Sequence, residues 1–139
     1  SGRCFICELA AGEDEGDLVV ARYATCLVLL NAFPYNSGHI LVAPLDHIGD
    51  LDEVPPDTLS EMMSVLIHAK KVLTHLMRPD GFNVGFNLGA AAGAGVRDHV
   101  HGHLVPRWVG DTNFMPVLSD TRVIPESLKE TARLLREAW

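Results

Sequence analysis

The chain has 139 residues, about the length of one domain, so we expect a single domain over residues 1–139. Apolar residues make up 47% of the sequence and charged residues 21%, which is typical of a globular protein with a hydrophobic core. Eleven Lys and Arg face 18 Asp and Glu, and the resulting net charge of −7 excludes the broad basic surface of non-specific nucleic-acid binding and a polybasic membrane anchor.

Short apolar runs, some continuous and some alternating with polar residues, predict five β-strands. In chain order they span residues 18–22, 26–31, 39–43, 82–88 and 99–106. Tight or irregular connections join them, and the regular β-α-β alternation of a parallel sheet is missing. The sequence therefore predicts an α+β fold built on an antiparallel sheet.

Two helices accompany the five strands. The first spans residues 57–77, where apolar side chains recur every three or four positions and form one buried stripe. Thr58 and Glu61 fit a capping box at its start, and Asp57 is an equal candidate for the cap. The second helix runs from Glu126 to the end of the chain.

Three histidines alternate with other residues in His99-Val100-His101-Gly102-His103. On a strand, all three side chains would point to one face, about 7 Å apart in succession. An affinity-tag-like run or adventitious metal binding is the alternative interpretation. However, this run lies inside an apolar strand that Pro106 closes, so we predict a functional site.

Residues 89–95, directly before the histidines, consist of three glycines and four alanines. Backbone N–H groups in such a loop can form a concave anion site. A flexible hairpin connection is the alternative. No Gly-Lys-Ser/Thr follows, so the Walker class of nucleotide site is excluded.

Cys4-x-x-Cys7 is the second chemical signal, and with Cys26 it makes an odd number of thiols, which argues against a disulfide framework. Paired thiols at this spacing suit a tetrahedral zinc site completed by histidines. Two buried core cysteines or a redox pair are the alternatives. The candidate histidines are His39, His47, His68, His75 and the run 99–103.

Neither a membrane span of roughly 18–20 apolar residues nor the apolar core of a signal peptide is present in the sequence. Together with the free thiols, this predicts a reduced, cytoplasmic protein that binds no membrane.

The histidine run resembles the signature of the histidine triad (HIT) family. The segment Ser37–Pro44 with Asn31 before it, and Val105-Pro106-Arg107 after the run, resemble other elements of that family in the same order. The chain is most similar to a bacterial branch of diadenosine tetraphosphate phosphorylases and hydrolases. The resemblance implies a HIT-like fold with two helices on a five-stranded antiparallel sheet, pairing in a homodimer into a continuous ten-stranded sheet.

The resemblance also implies roles for individual residues. His101 would attack the α-phosphorus and become a nucleotidyl-histidine, His103 would lie beside the phosphates, and His39 would contact the triad. Asn31 would lie against the nucleoside. The residues implied to hold phosphate oxygens are Asn87 and the backbone of Gly93, Gly95 and Val96. Structural Zn²⁺ would be bound by Cys4, Cys7, His47 and His99, and no organic cofactor is implied.

The implied function is cleavage of a dinucleoside polyphosphate, with diadenosine tetraphosphate as first choice. Phosphate as acceptor makes the enzyme a phosphorylase and water makes it a hydrolase; the residues are compatible with both. A nucleoside phosphoramidase of the same family and a non-catalytic nucleotide-binding module are the alternatives. Gly102 departs from the family pattern, in which that position is apolar, and we expect it to mark a close approach of the last helix or a loop.

Overall fold

A computed structural model describes residues 4–13, 18–93, 99–111 and 126–139 of the chain. Five antiparallel strands form one sheet in the spatial order β1-β2-β3-β5-β4. The strands are β1 (Val19–Arg22), β2 (Cys26–Leu30), β3 (Ile40–Pro44), β4 (Gly81–Phe86) and β5 (Gly102–Arg107). The helices are α1 (Phe5–Ala10), α2 (Pro56–Met77) and α3 (Glu126–Ala138), and Leu51–Glu53 and Ala90–Ala92 form 3-10 turns. The predicted α+β fold, its antiparallel sheet and its two long helices are confirmed.

Helix α1 was not predicted, because six residues are too few to show a helical period. Cys4 caps it, with its Sγ accepting from the backbone N–H of Cys7 at 3.5 Å. Ile6 and Leu9 are its buried residues, and both belong to a small apolar cluster. The short helix therefore places both thiols beside the sheet.

The predicted side-chain cap of α2 is wrong. Pro55 occupies the cap position, no side chain bonds there, and Thr58 is buried. The Glu61 carboxylate instead accepts from the N–H and the hydroxyl of Thr25, at 2.8 and 2.5 Å, and thereby ties the β1–β2 turn to the helix. Glu61 has a better partner across the fold than within its own helix.

The sheet separates two unequal apolar clusters. Its inner face packs on α2 and α3 in the main core, where Cys26 is fully buried. On the outer face, α1 covers a smaller cluster that includes Leu29 and Leu41. In the register of the sheet, His103 on β5 lies opposite Leu41 on β3 and opposite Gly85 on β4. These three residues therefore lie at one level across the sheet.

The fifth strand begins three residues later than predicted, at Gly102. Its pairing with β3 stops at Val42 opposite Gly102, and the N–H of Val100 bonds to the carbonyl of Ile48 at 2.7 Å. His99 and His101 therefore precede the strand and do not share its alternation. The prediction that all three histidines lie along one strand face is wrong.

Gly102 does mark a close approach, but of other elements than expected. A Cβ at this position would lie 3.1 Å from two ring atoms of Phe86 and 3.7 Å from a methyl carbon of Leu66. The neighbours are thus the paired strand β4 and helix α2, and not the last helix. Phe86 fills the volume that an apolar side chain at position 102 would need.

Among the described residues, no helix has the length and apolar character needed to cross a membrane.

Candidate active site

Two buried histidines form a hydrogen-bonded chain whose proton positions follow from their partners. The N–H of Tyr35 donates to His39 Nδ1 at 3.1 Å, so this nitrogen is an acceptor. His39 Nε2 then carries the proton and donates to His103 Nδ1 at 2.9 Å. His103 is consequently protonated at Nε2, the one buried side-chain polar atom without a partner in the described part of the chain. A buried N–H without an acceptor is where we expect a ligand oxygen to bind.

The ring of His101 is fixed in the opposite tautomer. Its Nδ1 lies 3.0 Å from the carbonyl oxygen of His99, which can only accept, so Nδ1 carries the proton. The lone pair is therefore on Nε2. The rings of His101 and His103 lie 5.0 Å apart between centroids, inclined at 65°. A lone pair suited to nucleophilic attack and an N–H suited to an anionic oxygen thus lie side by side.

Burial keeps the supporting histidines neutral. It lowers the pKa of His39 to about 3, with a further contribution from His103 and His101. It also lowers the pKa of His103 to about 4, with a smaller contribution from His101. Both rings are therefore uncharged at neutral pH, as their hydrogen-bonded tautomers require.

These pKa values predict how stability depends on pH. In the unfolded chain a histidine titrates near 6.5, so below that pH the unfolded state binds more protons than the folded state. The contribution of His39 and His103 to the free energy of unfolding should be fully present above about pH 6.5. It should fall toward pH 4, with a slope of up to about 1.4 kcal/mol per pH unit for each of the two residues. Urea unfolding at constant metal content measures this slope. His39→Gln should make it shallower, and His75→Gln, an exposed position on α2, should leave it unchanged. Stability that rises on acidification would contradict the neutral pair.

The residues predicted to hold the nucleotide are only partly described. Asn31 follows β2, accepts from the N–H of Phe33 at 2.9 Å, and lies 3.5 Å from His39 Nδ1. Asn87 lies beyond β4 and donates to the carbonyl of Gly93 at 3.4 Å, where Gly93 has a φ of 83°. Gly95 and Val96 lie outside the described residues.

A cavity of about 380 Å³ lies over β4 and β5, next to the histidines. Most of its wall was not predicted from the sequence. The available signal was the alternation of polar and apolar residues on β4, which predicted only a strand. The lining residues are Tyr35, Asn36, Asn83, Val84, Gly85, Asn87, His103, Val105 and Arg107.

Arg107 lines this cavity with its charge already paired. Its guanidinium binds both carboxylate oxygens of Asp111, at 2.9 and 2.7 Å, and donates to Asn83 Oδ1 at 2.8 Å. Asp111 Oδ2 also accepts from Asn36 and from the N–H of Trp108, and Arg107 with these donors holds the pKa of the carboxyl well below its usual range. Because its charge is paired with Asp111, Arg107 is poorly suited to bind a polyanion.

The four predicted metal ligands come together at the other end of the histidine run. One donor atom from each of Cys4, Cys7, His47 and His99 lies within 4.8 Å of all the others. The sulfur–nitrogen distances are 3.3 Å for Cys4–His99, 3.2 Å for Cys7–His47 and 3.5 Å for Cys7–His99. A tetrahedral zinc ion with its usual bond lengths separates such atoms by about 3.6 Å. The cluster can hold a metal ion of this size.

The surroundings of the cluster favour a cation. His99 Nε2 donates to the carbonyl of Pro44 at 2.9 Å, which leaves Nδ1 unprotonated and directed at the thiols. Burial, together with the neighbouring Cys4, raises the pKa of the Cys7 thiol to about 11. Without a cation the Cys7 thiol stays protonated, and a bound divalent ion would supply the charge that favours its thiolate.

Comparison with known proteins agrees with this geometry. The HIT domain family model matches residues 13–109. An AP-4-A phosphorylase of Mycobacterium tuberculosis is 41% identical over 132 residues, which cover 95% of this chain and 68% of that protein. An adenosine 5'-monophosphoramidase of Schizosaccharomyces pombe is 30% identical over 75% of this chain and 74% of its own length.

A zinc-bound histidine triad family protein of Mycobacterium smegmatis has the same fold. Its crystal structure superimposes with a TM-score of 0.79 at 30% identity and covers 97% of this chain and 91% of that one. The family model covers most of the chain, and the most extensive matches above span nearly all of it. The chain belongs to the HIT family, and it is an enzyme of the nucleotide hydrolase or phosphorylase class.

Proposed function

We propose that this enzyme cleaves dinucleoside polyphosphates, with diadenosine tetraphosphate as first choice, through a nucleotide covalently bound to His101. The observation that carries the proposal is the pair of opposite tautomers: a free lone pair on His101 Nε2 beside a free N–H on His103 Nε2. The similarity to a protein named AP-4-A phosphorylase supports the substrate class.

In the first step, His101 Nε2 attacks the α-phosphorus and forms an N–P bond. The bond to the bridging oxygen breaks, and that oxygen leaves with the electron pair as part of the departing phosphate chain. His101 becomes positively charged, and its Nδ1–H remains bonded to the carbonyl of His99. His103 donates its Nε2–H to a non-bridging oxygen and stabilises the charge that develops there.

In the second step, water or phosphate attacks the same phosphorus from the side that the leaving group vacated. The N–P bond breaks, its electron pair returns to Nε2, and the proton of the acceptor passes to solvent or product. The ring regains its starting tautomer. In this proposal Asn31 contacts the nucleoside. Phosphate oxygens are bound by Asn87 and by the backbone of Gly93, Gly95 and Val96.

A product analysis tests this proposal and separates its variants. The enzyme is incubated with diadenosine tetraphosphate with and without phosphate. Formation of ADP and ATP only when phosphate is present identifies a phosphorylase, and AMP with ATP in its absence identifies a hydrolase. Absence of turnover in both mixtures would contradict the proposal.

A phosphoramidase is the second candidate, because a relative of that name is 30% identical. Adenosine 5'-phosphoramidate in the same assay tests it, since the same nucleophile would displace ammonia. Binding of nucleotide without turnover of either compound would identify a non-catalytic module.

We also propose that the four-ligand cluster holds a structural Zn²⁺. Two sulfurs and two nitrogens within 4.8 Å of one another are a donor set typical of zinc. The ion would bind Cys4, Cys7, His47 and His99 and fix the start of the histidine run. With four protein ligands, the site would have no open position for substrate.

A homodimer is part of the same proposal. Strand β4 is an edge of the sheet and pairs on one side only within the described chain. Val84 on this strand is 56% exposed, and Met63 and Ile67, one turn apart on α2, are 53% and 50% exposed. A second copy could continue the sheet to ten strands and cover these side chains. Light scattering measures the mass, and a monomer at micromolar concentration would contradict it.

A further inference from the structure

We infer that the cavity over β4 and β5 is the binding site for the second nucleoside of a dinucleoside polyphosphate, the half that leaves with the phosphate chain. This inference rests on the proposed function and adds the location of the distal half. We call this cavity of about 380 Å³ the distal groove, and its lining residues are the nine given above.

The position of the distal groove fits an in-line displacement. His103 both contacts the ring of His101 and lines the groove. Asn31, proposed to hold the first nucleoside, directly follows β2, which in the sheet order lies on the side of β5 away from β4. Because the leaving oxygen departs opposite the attacking nitrogen, the two halves of the substrate must extend in different directions. The groove lies over β5 and β4, with Tyr35 and Asn36 of the β2–β3 connection at its wall, and so extends from His103 in the direction away from β2.

Gly85 is what keeps the distal groove open. It lies in β4 directly opposite His103, and a Cβ added there would meet no atom within 4 Å. Glycine weakens a strand, and no positive φ or steric contact in the structure demands one here. The missing side chain leaves room beside His103 for a ligand.

The polar groups of the groove suit an uncharged ligand with donors and acceptors. Of its lining residues, Arg107 alone is charged, and Asp111 neutralises it. Because Arg107 donates to Asn83 Oδ1, the amide of Asn83 keeps its N–H groups for a ligand. Asn36 uses its N–H groups on Pro106 and Asp111, which leaves its oxygen as an acceptor. A base or ribose matches this set better than a chain of phosphates.

The volume agrees with this assignment. About 380 Å³ lies within the range of pockets that hold small organic ligands, roughly 300–1,000 Å³. The groove lies on the outer face of the sheet. Continuation of the sheet beyond β4 in a dimer would extend that face in its own plane and leave the groove open.

The test compares the binding of two ligands that differ only in the second adenosine: diadenosine tetraphosphate and adenosine 5'-tetraphosphate. Calorimetry on the full chain carrying His101→Ala measures both affinities without turnover. We expect diadenosine tetraphosphate to bind about tenfold more tightly. Gly85→Val, which fills the groove with a residue favoured in strands, should remove this preference, and Asn83→Ala should reduce it. Lys71→Ala, on the exposed face of α2, is the control and should retain it.

Equal affinity for the two ligands before any groove substitution would overturn the inference. An equal loss of affinity for both ligands in Gly85→Val would also overturn it. Because the readout is binding, it is independent of the turnover assay. Wild-type enzyme that binds with the expected preference but turns over neither compound would contradict the proposed reaction and leave the distal groove supported.

Discussion

Replacement of His101 by alanine should abolish turnover of diadenosine tetraphosphate, with kcat reduced by a factor of at least about 10⁴. In the proposed reaction His101 supplies the lone pair that forms the N–P bond, and His103 cannot replace it because its Nδ1 accepts from His39 and its Nε2 carries a proton. Folding should be nearly unaffected, since His101 bonds only to the carbonyl of His99 among the described partners. Product formation in a stopped assay and urea unfolding measure the two properties.

Two further measurements make this expectation specific. Wild-type enzyme quenched during turnover should carry one added nucleotidyl group by mass spectrometry, located on the peptide with residue 101, and His101→Ala should carry none. His75→Ala, an exposed histidine on α2, should retain full activity. Turnover by His101→Ala at a rate near that of the wild type would exclude the covalent route.

His103 should behave differently from His101, because it is proposed to stabilise charge and not to form a bond. A chain of hydrogen bonds that begins at the backbone N–H of Tyr35 aims the His103 N–H at the developing negative charge.

These hydrogen bonds also show what the sequence could predict and what it could not. The motif identified both histidines and their partner His39, but the proton positions follow from the Tyr35 N–H and the His99 carbonyl, which only the folded backbone places.

The same distinction holds for the fold. Apolar periodicity was sufficient for the five strands and the two long helices, because burial on one face is a strong and local signal. Predictions from local sequence rules failed where a residue bonds to a partner far away in the sequence. Glu61 was predicted as part of a helix cap and instead bonds to Thr25, 36 residues away. His99 was assigned to β5, but contacts with two thiols and the Pro44 carbonyl hold it outside the sheet.

For the site, spacing and resemblance identified side chains with distinctive chemistry. The spacing of Cys4 and Cys7 suited a zinc site but left core cysteines or a redox pair as alternatives, and the resemblance added His47 and His99 as the remaining ligands. The distal groove could not be predicted in this way, since asparagine and glycine on an alternating strand are equally compatible with a solvated face. Asn83 becomes informative only when Arg107 is seen to occupy its oxygen.

Removal of one thiol should test the metal cluster with a large effect on stability. Cys7→Ser keeps the size of the side chain but replaces the sulfur that lies 3.2 Å from His47 and 3.5 Å from His99. An ion present at about 1,000 times its Kd stabilises a fold by about 4 kcal/mol, and we expect a loss of that order. Zinc content by elemental analysis and the midpoint of thermal unfolding measure the result.

Cys26→Ala is the matched control, because it also removes a thiol but from the main core. It should cost about 1 kcal/mol through lost packing and leave the zinc content unchanged. Cys7→Ser should in addition lower kcat, because the proposed ion would fix His99, and the carbonyl of His99 holds the tautomer of His101. Wild-type protein without zinc, or Cys7→Ser with its zinc and stability intact, would contradict the four-ligand site. A Cys7→Ser enzyme that has lost its zinc and turns over slowly, but unfolds at the wild-type temperature, would assign the cluster mainly to positioning the nucleophile.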